Sequence, residues 1–174
     1  MIIRPSTDHE LAAMHALHLE AFGEAEGPIV ADLACALLGD TSAEPRLSLI
    51  AEEDGRILGH VLFSALQLDE GVHPPLSILA PLAIASNRQR RGLGTRLVQQ
   101  GLSMLATSGT AAVFVLGDPR YYQRLGFASG HAVTPPFPLP YPEAWMAQDL
   151  QPGTLANLRG TARCCQSLMH PQYW

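Results

Sequence analysis

The chain contains no lysine; all eleven of its basic residues are arginines. A pyridoxal-phosphate Schiff base needs a lysine amine, so that chemistry is excluded. So is a P-loop, whose lysine holds nucleotide phosphates. Cysteine is nearly absent as well. Cys35, Cys164 and Cys165 form an odd set without C-x-x-C spacing. They suggest neither a disulfide framework nor a zinc site, and they suit a reducing compartment. The first residues, Met1-Ile2-Ile3-Arg4-Pro5, lack the apolar run of a signal peptide. No apolar run reaches the ~20 residues that span a bilayer. A cytoplasmic protein with no membrane partner and no metal is expected. The net charge of −5 lacks the basic excess of a nucleic-acid binder, so no nucleic-acid partner is expected either.

What is present reads as an ordered fold. Hydrophobic residues at 47% against 16% charged ones can fill a core. A length of 174 residues suits one domain spanning 1–174. Residues 1–4 read as a strand stopped by Pro5, and Thr7 to Glu10 as a capping box. Leu11, Met14, Leu17, His18, Ala21 and Phe22 recur at helical spacing. Gly23 to Gly27 reads as a flexible acidic break before a second helix that Pro28 opens and Gly39 ends. Strands are expected at 46–53 and 56–68 around an Asp54-Gly55 hairpin turn. A third covers 77–85, where Pro81 marks a bulge or a break in the ladder. A helix at 95–106, a strand at 111–116, a short helix at 119–125, a strand beginning at 127–129 and a last strand at 144–150 complete the pattern. Between the last two lies a stiff loop carrying Pro135, Pro136, Pro138, Pro140 and Pro142. The fold class is therefore α/β with a mixed sheet. The tail from Gln151 to Trp174 is only weakly periodic.

One segment carries ligand chemistry. Gln89-Arg90-Arg91-Gly92-Leu93-Gly94 lies between a strand and a helix. A helix start presents unpaired N–H groups and partial positive charge, and two glycines let a diphosphate approach the backbone. Arg88, Arg90, Arg91 and Arg96 cluster there in an otherwise acidic chain. The segment reads either as a phosphate site or as a plain strand-to-helix turn with solvated arginines. A dinucleotide fingerprint fits poorly: its third glycine would fall on Leu97, and no acidic residue follows about 20 residues on. A serine hydrolase is excluded because no G-x-S-x-G elbow occurs.

The run Pro81-Leu82-Ala83-Ile84 followed by Gln89-x-x-Gly92-x-Gly94 resembles the acetyl-CoA signature, Q/R-x-x-G-x-G/A, of the GNAT acetyltransferases. Gly117-Asp118-Pro119-Arg120-Tyr121-Tyr122-Gln123-Arg124-Leu125-Gly126-Phe127 resembles the second motif of that superfamily, in the form of its YhbS-like branch. The resemblance is strongest between Ile78 and Phe127. It places the core motif region at 77–130 and a C-terminal strand and tail at 144–174. It implies a mostly antiparallel sheet, flanked by helices, with two parallel strands splayed into a cleft. It further implies transfer of an acetyl group from acetyl-CoA to a primary amine by direct attack. Leu82, Ala83 and Ile84 would bind the pantetheine arm, with a backbone N–H of Leu82 or Ile84 on the thioester oxygen. Gln89, Arg90, Arg91, Gly92, Leu93, Gly94 and Thr95 would hold the pyrophosphate. Tyr122 would serve the departing thiolate as acid, with Tyr121 packing or orienting.

Many members of this family carry a glutamate base on the first cleft strand, whereas residues 77–85 contain no carboxylate. A base then comes from elsewhere, with Glu24, Glu26, His73, Asp118 and His131 as candidates, or acts through water, or is unnecessary. The missing glutamate also leaves a non-catalytic acyl-CoA sensor as an alternative function. The acceptor would be a small amine or an amine on a peptide or protein. The Gly23–Gly27 break and the proline-rich loop are expected to shape its pocket. His15 and His18 share a helix face, which reads as solvated rather than metal-binding. The apolar end, Tyr173-Trp174, packs either on its own core or on a second copy in a homodimer.

Overall fold

Strands whose side chains alternate between two apolar faces build the centre of the molecule, described here over residues 1–174 from a computed structural model. In chain order the elements are β1 (Ile2–Pro5), α1 (Leu11–Gly39), β2 (Leu47–Glu53), β3 (Arg56–Leu68), β4 (Leu76–Ile84) and α2 (Leu93–Thr107), then β5 (Ala112–Leu116), α3 (Pro119–Tyr122), β6 (Val133–Thr134), β7 (Trp145–Asp149), α4 (Thr154–Asn157) and β8 (Gly160–Arg163). The sheet runs β1-β2-β3-β4-β5-β7, with β8 on the far end of β3 and the two-residue β6 beside β8. Along the main path only β4 and β5 pair in parallel. The Asp54-Gly55 turn has positive φ at both residues, as a tight hairpin requires.

The period of two sorts each strand's side chains. Val61, Phe63, Leu79, Val113 and Val115 enter one apolar layer, under Leu97, Val98, Leu102 and Leu105 of α2. Leu62, Leu66, Ile78, Ala112 and Phe114 enter the other, with Leu33 and Leu37 of α1, Trp145 of β7 and Leu168 of the tail. Helix α1 contributes to both layers: Leu17 packs in the first and Leu33 in the second. It changes face at Gly23, whose φ of 71° and ψ of −172° break the helical geometry. That region of backbone space is open essentially to glycine alone. Gly27 then lies so close to the preceding turn that a Cβ there would sit 2.5 Å from the Leu19 carbonyl oxygen. The expected acidic break is thus a sharp kink at one residue, with Glu24 and Glu26 already helical. Two carboxylates suit that position, because a helix start carries partial positive charge.

Two other expectations are corrected. The strand expected at 127–129 is a single bridge between Ala128 and Ala147, because Gly130 turns the chain away with φ 90°. The tail, only weakly periodic in sequence, supplies β8 and the last wall of the second layer. Its pairing partners are remote: Ala162 faces Leu68 and Gly160 faces Val133. Tyr173 and Trp174 pack against that layer, on the chain's own core. The indole N–H of Trp174 donates to the Leu168 carbonyl at 2.8 Å. No helix is long and apolar enough to cross a membrane.

Candidate active site

The site begins with a defect in the sheet. Opposite β3, the register jumps from Val61–Leu82 to Phe63–Leu79, so Ala80 and Pro81 together face Leu62. This is the bulge that Pro81 signals, and bulges bend a strand. On the other edge, the parallel pairing of β4 with β5 ends at Leu79–Val115. Beyond it, Ala80 to Ile84 have no strand partner on the β5 side. The two parallel strands therefore splay, and an open backbone edge lines the gap.

Two cavities meet there. The first, of about 750 Å3, is lined by Leu82, Ala83 and Ile84 of β4, the turn residues Arg88, Gln89, Arg90, Gly92, Gly94 and Thr95, and Ala21, Phe22, Tyr121, Arg124 and Leu125. Gly92 caps α2 in the left-handed region with φ 79°, and a Cβ on it would project into open space. The N–H groups of Leu93, Gly94 and Thr95 open the helix, where no intrahelical acceptor exists. A Cβ at Gly94 would lie 2.6 Å from the Tyr121 hydroxyl. That hydroxyl is buried and has no hydrogen-bond partner. Burial raises its pKa, so it stays a neutral donor. Open glycine backbone, free helix-start donors, an orphaned phenol and two arginines fit a coenzyme A pyrophosphate well.

The turn divides its labour differently from the expected set. The Gln89 side chain donates to the Ile84 carbonyl at 3.1 Å and closes the turn onto β4. Leu93 is buried in the core, leaving only its backbone for a ligand. Arg91 is exposed and does not line the cavity. Arg88 lines it but is paired with Glu53. Arg124 was not expected and is there. A surface arginine on the short helix of the second motif has no sequence signal that aims it across the cleft.

The second cavity, of about 510 Å3, lies on the other side of Leu82 and Phe22, which border both. Its walls are Ile78 to Leu82, Leu116, Gly117 and Tyr122, the kinked part of α1, and the tail from Leu168 to Trp174. Tyr122 is 9% exposed. Its ring stands edge-on to Tyr121 and Phe127 and lies so close to Gly117 that a Cβ there would be 2.3 Å away. Asp118 starts α3 by accepting the Arg120 N–H at 2.9 Å, and Gly126 ends the following turn with φ 93°. Tyr122 is thus fixed between the ends of both splayed strands. Burial pushes its pKa well up, so the phenol keeps its proton.

Most of the candidate bases are committed elsewhere. Asp118 caps α3. Nε2 of His73 accepts from the Leu68 N–H at 3.1 Å, and its Nδ1–H donates to the Pro74 carbonyl at 2.8 Å. His131 packs on Phe114 and Trp145. Glu24 is exposed and lines neither cavity. Glu26 alone lines the second one. The proline-rich loop does not line it either, because Trp174 stands between, with Phe137 behind it at 6.4 Å. The cysteines are free. Burial raises the pKa of all three, that of Cys164 to about 12, which leaves no ready thiolate. His15 meets Asp32 at 3.2 Å, whereas His18 turns inward to His60 at 2.7 Å. The shared helix face of that pair is therefore only half solvated. No group of three or more potential metal ligands gathers anywhere.

The sequence profile of the Acetyltransferase (GNAT) family matches residues 11–127. The chain belongs to the GNAT acetyltransferase family. It is 42% identical over 142 residues to the uncharacterized N-acetyltransferase YjhQ of Escherichia coli K12, covering 77% of each chain. With the uncharacterized N-acetyltransferase YhbS of the same strain it shares 34% over 129 residues, 73% of each. The crystal structure of Escherichia coli YhbS in complex with CoA superposes with a TM-score of 0.87 at 28% identity, over 98% of this chain and 92% of that one. A GNAT acetyltransferase from Brucella melitensis in complex with acetyl-CoA shares the fold, at 24% identity and a TM-score of 0.78. The protein is therefore an N-acetyltransferase of this family, and its mixed, mostly antiparallel sheet is that of the family.

Proposed function

We propose that this GNAT protein acetylates a primary amine by direct attack within a ternary complex, using the two cavities that meet at Leu82. The observation that carries this reading is their junction. A phosphate cradle and an apolar chamber share the open edge of β4, with Tyr122 at the mouth between the strands. The pyrophosphate rests on the N–H groups of Gly92 to Thr95, with Arg90 and Arg124 supplying charge. The pantetheine arm completes the unpaired edge at Leu82, Ala83 and Ile84, as a short added strand would. An N–H of that edge faces the thioester oxygen and stabilises the charge that develops on it.

The amine lone pair attacks the acetyl carbon, the new C–N bond forms, and the C–S bond breaks. The electron pair leaves on sulfur, and the amine's extra proton balances it. Tyr122 donates a hydrogen bond to that sulfur. A thiol has a pKa near 8.5 and a phenol near 10, so full proton transfer from Tyr122 would be uphill. Its role is therefore the strengthening hydrogen bond rather than the release of its proton. The protonated thiols of Cys35, Cys164 and Cys165 offer no covalent alternative. Initial rates measured while both substrates are varied test the order of events. Intersecting double-reciprocal lines are expected, and parallel lines would show a covalent acetyl-enzyme and overturn direct attack.

A further inference from the structure

The walls of the second cavity identify its ligand more closely than the fold does. They are mostly apolar, with Ile29, Val30 and Leu33 from α1, Leu116 from β5, and Leu168 and Trp174 from the tail, while Tyr122, Gln172 and Tyr173 bring the neutral polar side chains. Glu26 is the one charged side chain among them. It stands on the first turn after the kink at Gly23, which brings α1 across the cleft mouth beside Phe22. About 510 Å3 suits a compact small molecule rather than an extended one. Apolar walls desolvate whatever enters, and each ammonium placed there needs a partner charge. One carboxylate partners one ammonium. The few neutral polar groups on the walls are too sparse for a polycation or a hydroxyl-rich sugar amine, most of whose polar groups would stay unpaired.

Resting on the acetyl-transfer reading above, we infer that the acceptor is a small lipophilic monoamine, an apolar or aromatic body bearing a single primary amine. Its ammonium docks on Glu26, and its body lies against Ile29, Leu33, Leu116 and Trp174. Glu26 holds the ammonium at the cavity mouth, and the neutral amine that attacks forms by loss of a proton to that carboxylate or to water beside it.

The test compares 2-phenylethylamine, 1,4-diaminobutane, an aminoglycoside and a lysine-containing peptide as acceptors, following release of the coenzyme thiol. Phenylethylamine is expected to give the highest kcat/KM. Glu26→Gln should raise its KM roughly tenfold or more, the loss of a charge-assisted contact, while acetyl-CoA affinity stays unchanged. Ile29 is 48% exposed, so Ile29→Asp can be made without disturbing the core. It should lower kcat/KM for phenylethylamine about tenfold and shift preference toward the diamine. A higher kcat/KM for the aminoglycoside or the peptide, or an unchanged amine KM in Glu26→Gln, would overturn the monoamine assignment and leave acetyl transfer standing. If a wild type that binds acetyl-CoA acetylated none of the four, the monoamine assignment would fall too, whereas the ternary-complex reading falls only on parallel double-reciprocal lines.

Discussion

At the scale of single residues, two consecutive tyrosines face different cavities. Tyr121 reaches over Gly94 into the first, where the pyrophosphate is proposed to lie, whereas Tyr122 faces the second, where the acceptor is proposed to sit. Neighbours on so short a helix point about 100° apart, which is what lets one dipeptide serve both cavities. Tyr122→Phe is expected to lower kcat by roughly 10- to 100-fold, the worth of one hydrogen bond to a developing anion, with little change in acetyl-CoA affinity. Steady-state kinetics beside calorimetry separate the two effects, and a fall in affinity without a fall in kcat would reassign the residue to binding. The motif spacing singles out Tyr122, and the structure sets its side chain on the wall of the second cavity. The spacing could not reveal Arg124 in the cradle, nor that Gln89 bonds to the chain itself, because both depend on how the turn closes onto β4 and α3.

At the scale of elements, the kink in α1 is the device that couples core to site. The apolar positions before and after Gly23 are both visible in the sequence, and so is the interruption. What the pattern cannot show is that the interruption is one residue long and carries the helix from one face of the sheet to the other. Gly23→Ala forces a side chain into a backbone region that favours glycine alone, and should destabilise the fold by about 1–3 kcal/mol. Urea unfolding measures this, and an unchanged midpoint would mean that the kink relaxes freely. The tail is the other element that was illegible. Its position is set by contacts more than a hundred residues away: Asp40 accepts the Ser167 N–H at 2.9 Å, and the Ser42 hydroxyl accepts the Gln166 N–H at 2.9 Å. Such contacts leave no period behind. The sequence points to the proline-rich loop as a wall of that chamber, whereas the structure puts Leu168 to Trp174 there, with Phe137 behind Trp174.

For the whole molecule, stability should depend on pH through its buried imidazoles. His18 and His60 are both fully buried and bond to each other at 2.7 Å, and the chain continues from His60 to Ser48 at 2.9 Å. Burial lowers the pKa of both, and of His131. The unfolded chain therefore takes up protons near pH 6.5 that the folded one refuses. Stability is full above that value and falls as the pH drops below it. Glu10 and Asp40, whose carboxyls are held below their usual range by Arg4 and by Ser42 and Ser167, weaken the fold only below about pH 4 and stay out of this window. Urea midpoints should fall between pH 7 and pH 5, and less so in His60→Gln. A flat profile would mean that the pair is protonated in the fold.

The turn from Gln89 to Thr95 is the proposed seat of acetyl-CoA, on which both the transfer and the acceptor assignment depend. Calorimetry of acetyl-CoA with the wild type beside Gly92→Asp tests it most directly. The substitution adds a carboxylate in open space at the helix start, where the pyrophosphate is placed, and the φ of 79° there adds some backbone strain, so a Gly92→Asn variant of like strain and no charge is run beside it. Binding by the wild type and a loss of roughly tenfold or more in Gly92→Asp are expected, from repulsion between like charges at close range. Equal affinity in folded Gly92→Asp would place the coenzyme elsewhere and leave the turn as a plain entry into α2.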